Sequence, residues 1–113
     1  MKKTEILKKN YEFRLVLKKG KYYSGKYIES FVLNNNLDIN KIGIAIKTKV
    51  GKAVKRNRIK RLIKESYRLN EDKFGVGKNL VFLVKKNQEI DSLEFRDIEK
   101  DIIFILDKIG QVW

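Results

Sequence analysis

The chain has 113 residues, no Pro, no Cys and no His, and its 27 Lys and Arg outnumber 14 Asp and Glu to give a net charge of +13. This composition excludes a disulfide framework, a thiolate nucleophile and a cysteine-ligated metal, and it removes the side chains most used as proton shuttles near neutral pH. The length suits one domain, here residues 1–113, with an apolar fraction sufficient for a modest core.

The N-terminus, Met1-Lys2-Lys3, leads into mixed charge rather than an apolar run of signal-peptide length. No stretch approaches the roughly eighteen apolar residues of a membrane span. The expectation is a cytoplasmic protein without a membrane partner. A small domain at +13 repels itself, and a polyanionic partner relieves that repulsion. Nucleic acid is the strongest candidate, an anionic lipid surface a weaker one.

In chain order, Asn10 is placed to cap a helix from Tyr11 to about Lys19, with Gly20 as its stop. Phe13, Val16 and Leu17 fall on one side of it. Tyr22-Tyr23 predicts a short strand. Tyr27–Leu33 (YIESFVL) predicts a longer one, with Tyr27, Glu29, Phe31 and Leu33 on one face and Ile28, Ser30 and Val32 on the other. Asn34–Asn40 is a turn. Ile42–Lys47 (IGIAIK) alternates large and small residues, so that a helix can pack on the isoleucine face while something else approaches Gly43 and Ala45 closely. Gly51 breaks the chain.

A basic helix follows, from Ala53 or Val54 to Leu69, ending at Asn70. Glu71–Asn79 is read as a loop and Leu80–Lys85 (LVFLVK) as an interior strand. Asp91 and Glu94 resemble a capping box, and the last helix is expected over about Ser92–Ile109, stopped by Gly110, with Phe95, Ile98, Ile102, Ile105, Leu106 and Ile109 as its core stripe. The order is αβββαβα. The expected fold is α+β, an α/β sandwich with a mixed four-stranded sheet and helices covering one face.

Lys52–Arg68 reads KAVKRNRIKRLIKESYR, with eight of seventeen residues basic. At about 100° per residue, Ile59, Leu62, Ile63, Ser66 and Leu69 form the buried third, and Asn57, Lys60, Arg61, Lys64 and Arg68 the opposite one. Arg56 and Arg58 flank the borders. A solvated helix face usually mixes signs, because opposite charges four apart stabilise and like charges cost a few tenths of a kcal/mol. Here Arg56, Lys60, Lys64 and Arg68 form an unbroken like-charge series relieved only by an Arg61–Glu65 pair. Arg56 and Arg58 also lie where the helix dipole disfavours cations. Asn57 between them offers both a donor and an acceptor. Such a helix is weakened in isolation and restored by phosphates.

The run KTKVGKAVKRNRIKRLIKESYR (Lys47–Arg68) resembles the signature of the bacterial ribonuclease P protein family, whose hallmark is Arg-Asn-Arg opening a basic helix. KKNYEFRLVLKKG (Lys8–Gly20) and KIGIAIKTKVGKAV (Lys41–Val54) resemble the family's first helix and central strand. The resemblance covers nearly the whole chain. It implies a left-handed strand–helix–strand crossover, which spacing alone does not suggest. It also implies the accessory subunit of a ribonucleoprotein endoribonuclease that removes 5′ leaders from precursor tRNA. The partners it implies are ribonuclease P RNA and the single-stranded 5′ leader, with no DNA.

On the same resemblance the RNA carries the chemistry with Mg2+ at its own active site, and the protein alone binds no cofactor and has no catalytic residue. Arg56, Asn57, Arg58, Lys60, Arg61, Lys64 and Arg68 are then RNA-binding. Lys64 stands where the family often has Arg, keeping the charge without the planar fork. Phe13, Leu17 and Phe31 match the leader cleft, with Leu17 where an aromatic is common. By pattern alone Phe13 and Phe31 serve equally as core residues.

Three other readings share parts of this pattern: a ribosomal or other structural RNA-binding protein, a DNA-binding module using the basic helix, and a protein-only nuclease drawing on Glu12, Glu29 and Asp38. The charge generates one prediction for all RNA-binding readings. The free chain gains order when anions bind, so its melting temperature rises in sulfate or phosphate; a melting temperature indifferent to both contradicts this.

Overall fold

The structure is a computed structural model, and it describes residues 3–85 and 90–112. Met1 and Lys2 of the charged N-terminus lie outside these limits. The elements are β1 (Thr4–Ile6), α1 (Asn10–Lys19), β2 (Lys21–Ser24), β3 (Ile28–Asn34), β4 (Asn40–Ala45), α2 (Ala53–Leu69), α3 (Glu71–Phe74), β5 (Lys78–Val84) and α4 (Phe95–Val112), with single 3-10 turns at Thr48–Val50 and Ile90–Ser92. The α+β class and the mixed sheet agree with the sequence reading. The sheet has five strands rather than four, in the order β1-β4-β5-β3-β2. β1 and β5 run parallel to β4, while β3 and β2 are antiparallel to their neighbours.

The unforeseen strand, β1, is three residues long and has no alternating pattern of its own. It exists because the open edge of β4 offers it partners, in the register Thr4↔Asn40 to Ile6↔Ile42. A buried chain of hydrogen bonds fixes its start. Asn40 Nδ2 donates to the Tyr67 hydroxyl at 3.2 Å, that hydroxyl lies 2.8 Å from Thr4 Oγ1, and Thr4 Oγ1 donates to Glu71. Asn40 also donates to the Gly75 carbonyl and accepts from the Lys78 amide. One asparagine therefore ties β1, β4, α2 and the entry to β5 together, and burial raises the Tyr67 hydroxyl above the usual phenol range.

The helices do not all cover one face. α2 and α4 pack on one side of the sheet over Ile28, Val32, Ile42, Leu80, Phe82 and Val84. α1 lies on the other side, where Val16 packs with Val81 and Leu7. The residue that permits this is Gly43. A Cβ there would sit 2.8 Å from Phe13 Cε2 and 3.2 Å from Leu7 Cδ1. The small face of β4 thus receives the first helix, as its spacing allowed.

Local signals were partly misplaced at the helix ends. Asn10 is the first residue of α1 and makes no cap, whereas Gly20 closes the helix by donating its amide to the Val16 carbonyl. Glu71–Phe74 is a short helix before the glycine turn at Gly75 and Gly77, both at positive φ. α4 starts at Phe95, with Asp97 accepting from the Glu94 amide at 2.9 Å, so the cap lies three residues beyond Asp91. Asp91 instead pairs with Lys55. Gly110 stays helical, within α4.

The β2–β3 hairpin is held by a carboxylate. Asp101 of α4 accepts the amides of Lys26, Tyr27 and Ile28 at 2.5–3.0 Å and is buried. Asp101→Ala leaves three amides without that acceptor, at about 1–3 kcal/mol for each buried donor left unpaired. It is expected to lower unfolding stability by ~3 kcal/mol or more in urea titration; a loss below ~1 kcal/mol shows that water replaces the carboxylate.

Candidate nucleic-acid interface

The sequence of α2 divides its circumference. Ile59, Ile63, Ser66 and Tyr67 are buried, Leu62 is partly so, and Asn57, Lys60, Arg61, Lys64, Glu65 and Arg68 are exposed. Leu69, expected in the buried stripe, is 56% exposed, while Tyr67, not assigned there, is fully buried. Relative to the sequence reading the inward face is rotated by ~50° toward Tyr67. The cause is the Tyr67 hydroxyl, which is drawn inward by Asn40 and Thr4.

The seven expected RNA contacts fall into three groups. Arg56 turns back along the start of the helix and donates from one guanidinium nitrogen to the carbonyls of Gly51 and Thr48. It holds the loop that aims the helix. Arg68 is clamped by Glu65, with Nε at 3.0 Å from Oε2 and a second bond to Oε1. This partnership replaces the expected Arg61–Glu65 pair, because a glutamate favours a cation C-terminal to it on the helix. Arg68 in turn holds the Glu65 carboxyl below its usual range.

That leaves Arg58, Lys60, Arg61 and Lys64, which meet no carboxylate within ion-pair distance among the described residues, with Asn57 beside them. Arg58, Arg61 and Lys64 line an open groove along α2, floored by Leu62 and bordered by Glu65 and Arg68. The first turn of α2 has no acidic residue and no side-chain cap, so its amides also face outward unpaired by side chains.

The second constellation lies on the other side of the sheet. Phe13 and Leu17 from α1 and Phe31 from β3 join one cluster with Leu33 and Leu83 around Val16 and Val81. All three predicted cleft residues are brought together, and each remains partly exposed. The strand register orders this face in rows: Lys41–Asn79–Leu33, then Gly43–Val81–Phe31–Tyr22, then Ala45–Leu83–Glu29–Ser24. α1 meets the first two at β4, with Phe13 over Gly43 and Lys41 bound to Glu12 at 3.2 Å, while Tyr22 at the β2 end of the second stays half exposed. The third row is partly buried throughout, and its Leu83 joins the α1 cluster.

The two constellations share an end of the sheet. Ala45 ends β4 in the third row, and residues 46–52 link it directly to α2, so the Arg-Asn-Arg segment follows from the end of that row. Sequence reasoning missed Tyr22, half exposed with its ring centroid 5.2 Å from that of Phe31. The alternation of exposed Tyr22 with buried Tyr23 was the available signal. Among the described residues no cluster of three or more side chains could hold a metal ion, and no helix is long and apolar enough to cross a membrane. Of the carboxylates considered for a protein-only nuclease, Glu12 pairs with Lys41 and Glu29 accepts from the Tyr22 hydroxyl.

A family model described as Ribonuclease P matches residues 1–110. A protein named ribonuclease P protein component from Clostridium botulinum (strain Loch Maree / Type A3) is 44% identical over 111 residues, covering 97% of both chains. Its namesake in Clostridioides difficile (strain 630) is 43% identical over 101 residues, covering 88% of this chain and 87% of its own. The solved ribonuclease P protein of Thermotoga maritima superposes with a TM-score of 0.84 at 29% identity, covering 93% of this chain and 97% of that one. The Staphylococcus aureus protein gives 0.80 at 28% identity and 95% of each chain.

The geometry separates two arginines that the motif treats alike. Arg58→Ala should leave urea stability within about 0.5 kcal/mol of wild type. It should weaken RNA binding and flatten the salt dependence of affinity by about 0.7 in log–log slope. Arg56→Ala should instead lower stability by ~1.5 kcal/mol, since it removes charge-assisted bonds to backbone carbonyls. Equal stability losses in the two variants would contradict this division.

Proposed function

The chain belongs to the ribonuclease P protein family, and we propose a division of its surface between two RNAs. As a member it is the accessory protein subunit of ribonuclease P in tRNA 5′ processing, and its partner is RNA. On our reading Asn57, Arg58, Lys60, Arg61 and Lys64 bind the catalytic RNA. Phe13, Leu17 and Phe31 receive unpaired bases of the precursor tRNA 5′ leader. Arg56 and Arg68 support that surface through the Gly51 loop and Glu65. The observation that carries this is the set of four cations without a carboxylate partner among the described residues, on the helix that follows the end of β4 beside the half-exposed Tyr22–Phe31 pair.

Mechanistically, the chain's contribution is placement. Exposed cations follow phosphates, and partly exposed rings stack bases without reading their sequence, at about 1–3 kcal/mol for each base. Lys64 acts as a point charge rather than a bidentate fork. Hydrolysis in this reading belongs to the RNA and its Mg2+ ions. The chain, without His or Cys, raises the local concentration of leader at that centre. The rest of the holoenzyme works in the cytoplasm on this reading.

Reconstitution tests it. The purified chain should restore cleavage of a leader-bearing precursor by the catalytic RNA at low magnesium; binding of the RNA without restored cleavage would favour a purely structural RNA-binding role. Phe31→Ala should weaken leader-bearing substrate by about fivefold or more, from loss of one stacking surface, while leaving leaderless tRNA within about twofold. Equal weakening of both substrates would remove Phe31 from the cleft.

A further inference from the structure

The third row of the α1 face carries a group out of keeping with its surroundings. Glu29 is a carboxylate on the side of the sheet that meets RNA, in a chain of +13. Phosphate does not offset it, and its only partner among the described residues is the Tyr22 hydroxyl, which donates to Oε2. Oε1 has none. The Tyr22 ring, 48% exposed, lies across from Phe31 in the neighbouring row, with centroids 5.2 Å apart and planes inclined at 56°. Two tilted rings and one free carboxylate oxygen therefore adjoin each other on strands β2 and β3.

We propose that Tyr22 and Glu29 form a base-reading subsite beside Phe31, where a leader nucleobase carrying an exocyclic amino group stacks on Tyr22 and donates that amino group to Glu29. The inference rests on the reading that this face receives the leader. A carboxylate only accepts, so it suits adenine N6, cytosine N4 or guanine N2. Uracil has no amino group; its one donor on that edge, N3–H, sits between the O2 and O4 carbonyls, which would face the carboxylate charge beside it. The hydroxyl clamp orients the carboxylate, and the hydrogen bond to Glu29 raises the Tyr22 phenol above its usual range.

The plainer role for this pair is to brace the hairpin, since Tyr22 and Glu29 are diagonal neighbours across β2 and β3. A brace affects stability but has no influence on base preference, and the two roles separate on that readout.

The test uses holoenzyme reconstituted with the catalytic RNA. Precursor tRNAs differ at one leader nucleotide, stepped through the leader as A, C, G and U, with leaderless tRNA as reference. Wild type should disfavour uracil at one position by about fivefold or more. Glu29→Gln, whose amide also donates, should reduce that gap to within about twofold. Tyr22→Ala should weaken all four bases at that position, and Tyr22→Phe should weaken them less, because the ring is retained. Melting temperatures confirm the fold of each variant. If wild type binds leader-bearing and leaderless tRNA equally, the leader reading itself fails. If it separates them but Glu29→Gln leaves the base ranking unchanged, the subsite alone is overturned.

Discussion

Everything this molecule presents to RNA depends on how firmly one helix is held from beneath. α2 carries a series of like charges that its own backbone does not favour, and three like-charge neighbours at i,i+4 cost about 1 kcal/mol together. Against this, Ile59, Ile63 and Tyr67 are fully buried against the sheet and α4. Burial stabilises by about 1.5–3 kcal/mol per large apolar side chain, so the anchoring exceeds the repulsion several-fold. The outer face is therefore free to stay cationic and unpaired. An RNA-binding helix of this kind requires its stability to come from the opposite face.

The sheet does for the leader face what it does for the helix. A strand side alternates, so β3, β4 and β5 each supply one set of residues to the large core and another to the α1 side. β4 is the asymmetric member: isoleucines on one face, Gly43 and Ala45 on the other. The first gives α2 and α4 a broad apolar floor. The second lets α1 approach until Phe13 touches the strand. Parallel pairing of β4 with β5 then requires a crossover, and α2 is that crossover. Hence the basic helix follows directly from the end of β4.

Much of this was legible. The strand over Ile28–Asn34 showed its inner and outer faces by alternation, and the core stripe of α4 showed itself by helical period, because burial on one side writes a pattern directly into sequence. The Arg-Asn-Arg segment and the aromatic positions were legible through family resemblance. β1 was not, because three residues contain no pattern and the strand depends on the edge of β4. Leu69 was assigned to the wrong side because an apolar residue at the margin of a stripe and a tyrosine at the other margin are equivalent until something pulls one inward. The Thr4–Tyr67–Asn40 bonds, between residues far apart in the chain, decided it.

What the sequence determined by itself is the class of partner and one cationic helix face, the aromatic surface coming only through family resemblance. Charge, the missing catalytic side chains and periodicity are summed along the chain and need no coordinates. What only the tertiary structure decided is which cations are free and which rings are adjacent. Arg56, Arg58 and Arg68 are the same residue type within thirteen positions, yet one holds a loop, one lines the groove without a carboxylate partner among the described residues and one is clamped by Glu65. Tyr22 and Tyr23 are identical neighbours that the pleat sends to opposite faces, only one of them toward Phe31 and Glu29. The physical reason is that a side chain's partner is set by distance in space, and the carboxylates, carbonyls and rings that make these distinctions reach their positions only once the sheet has paired.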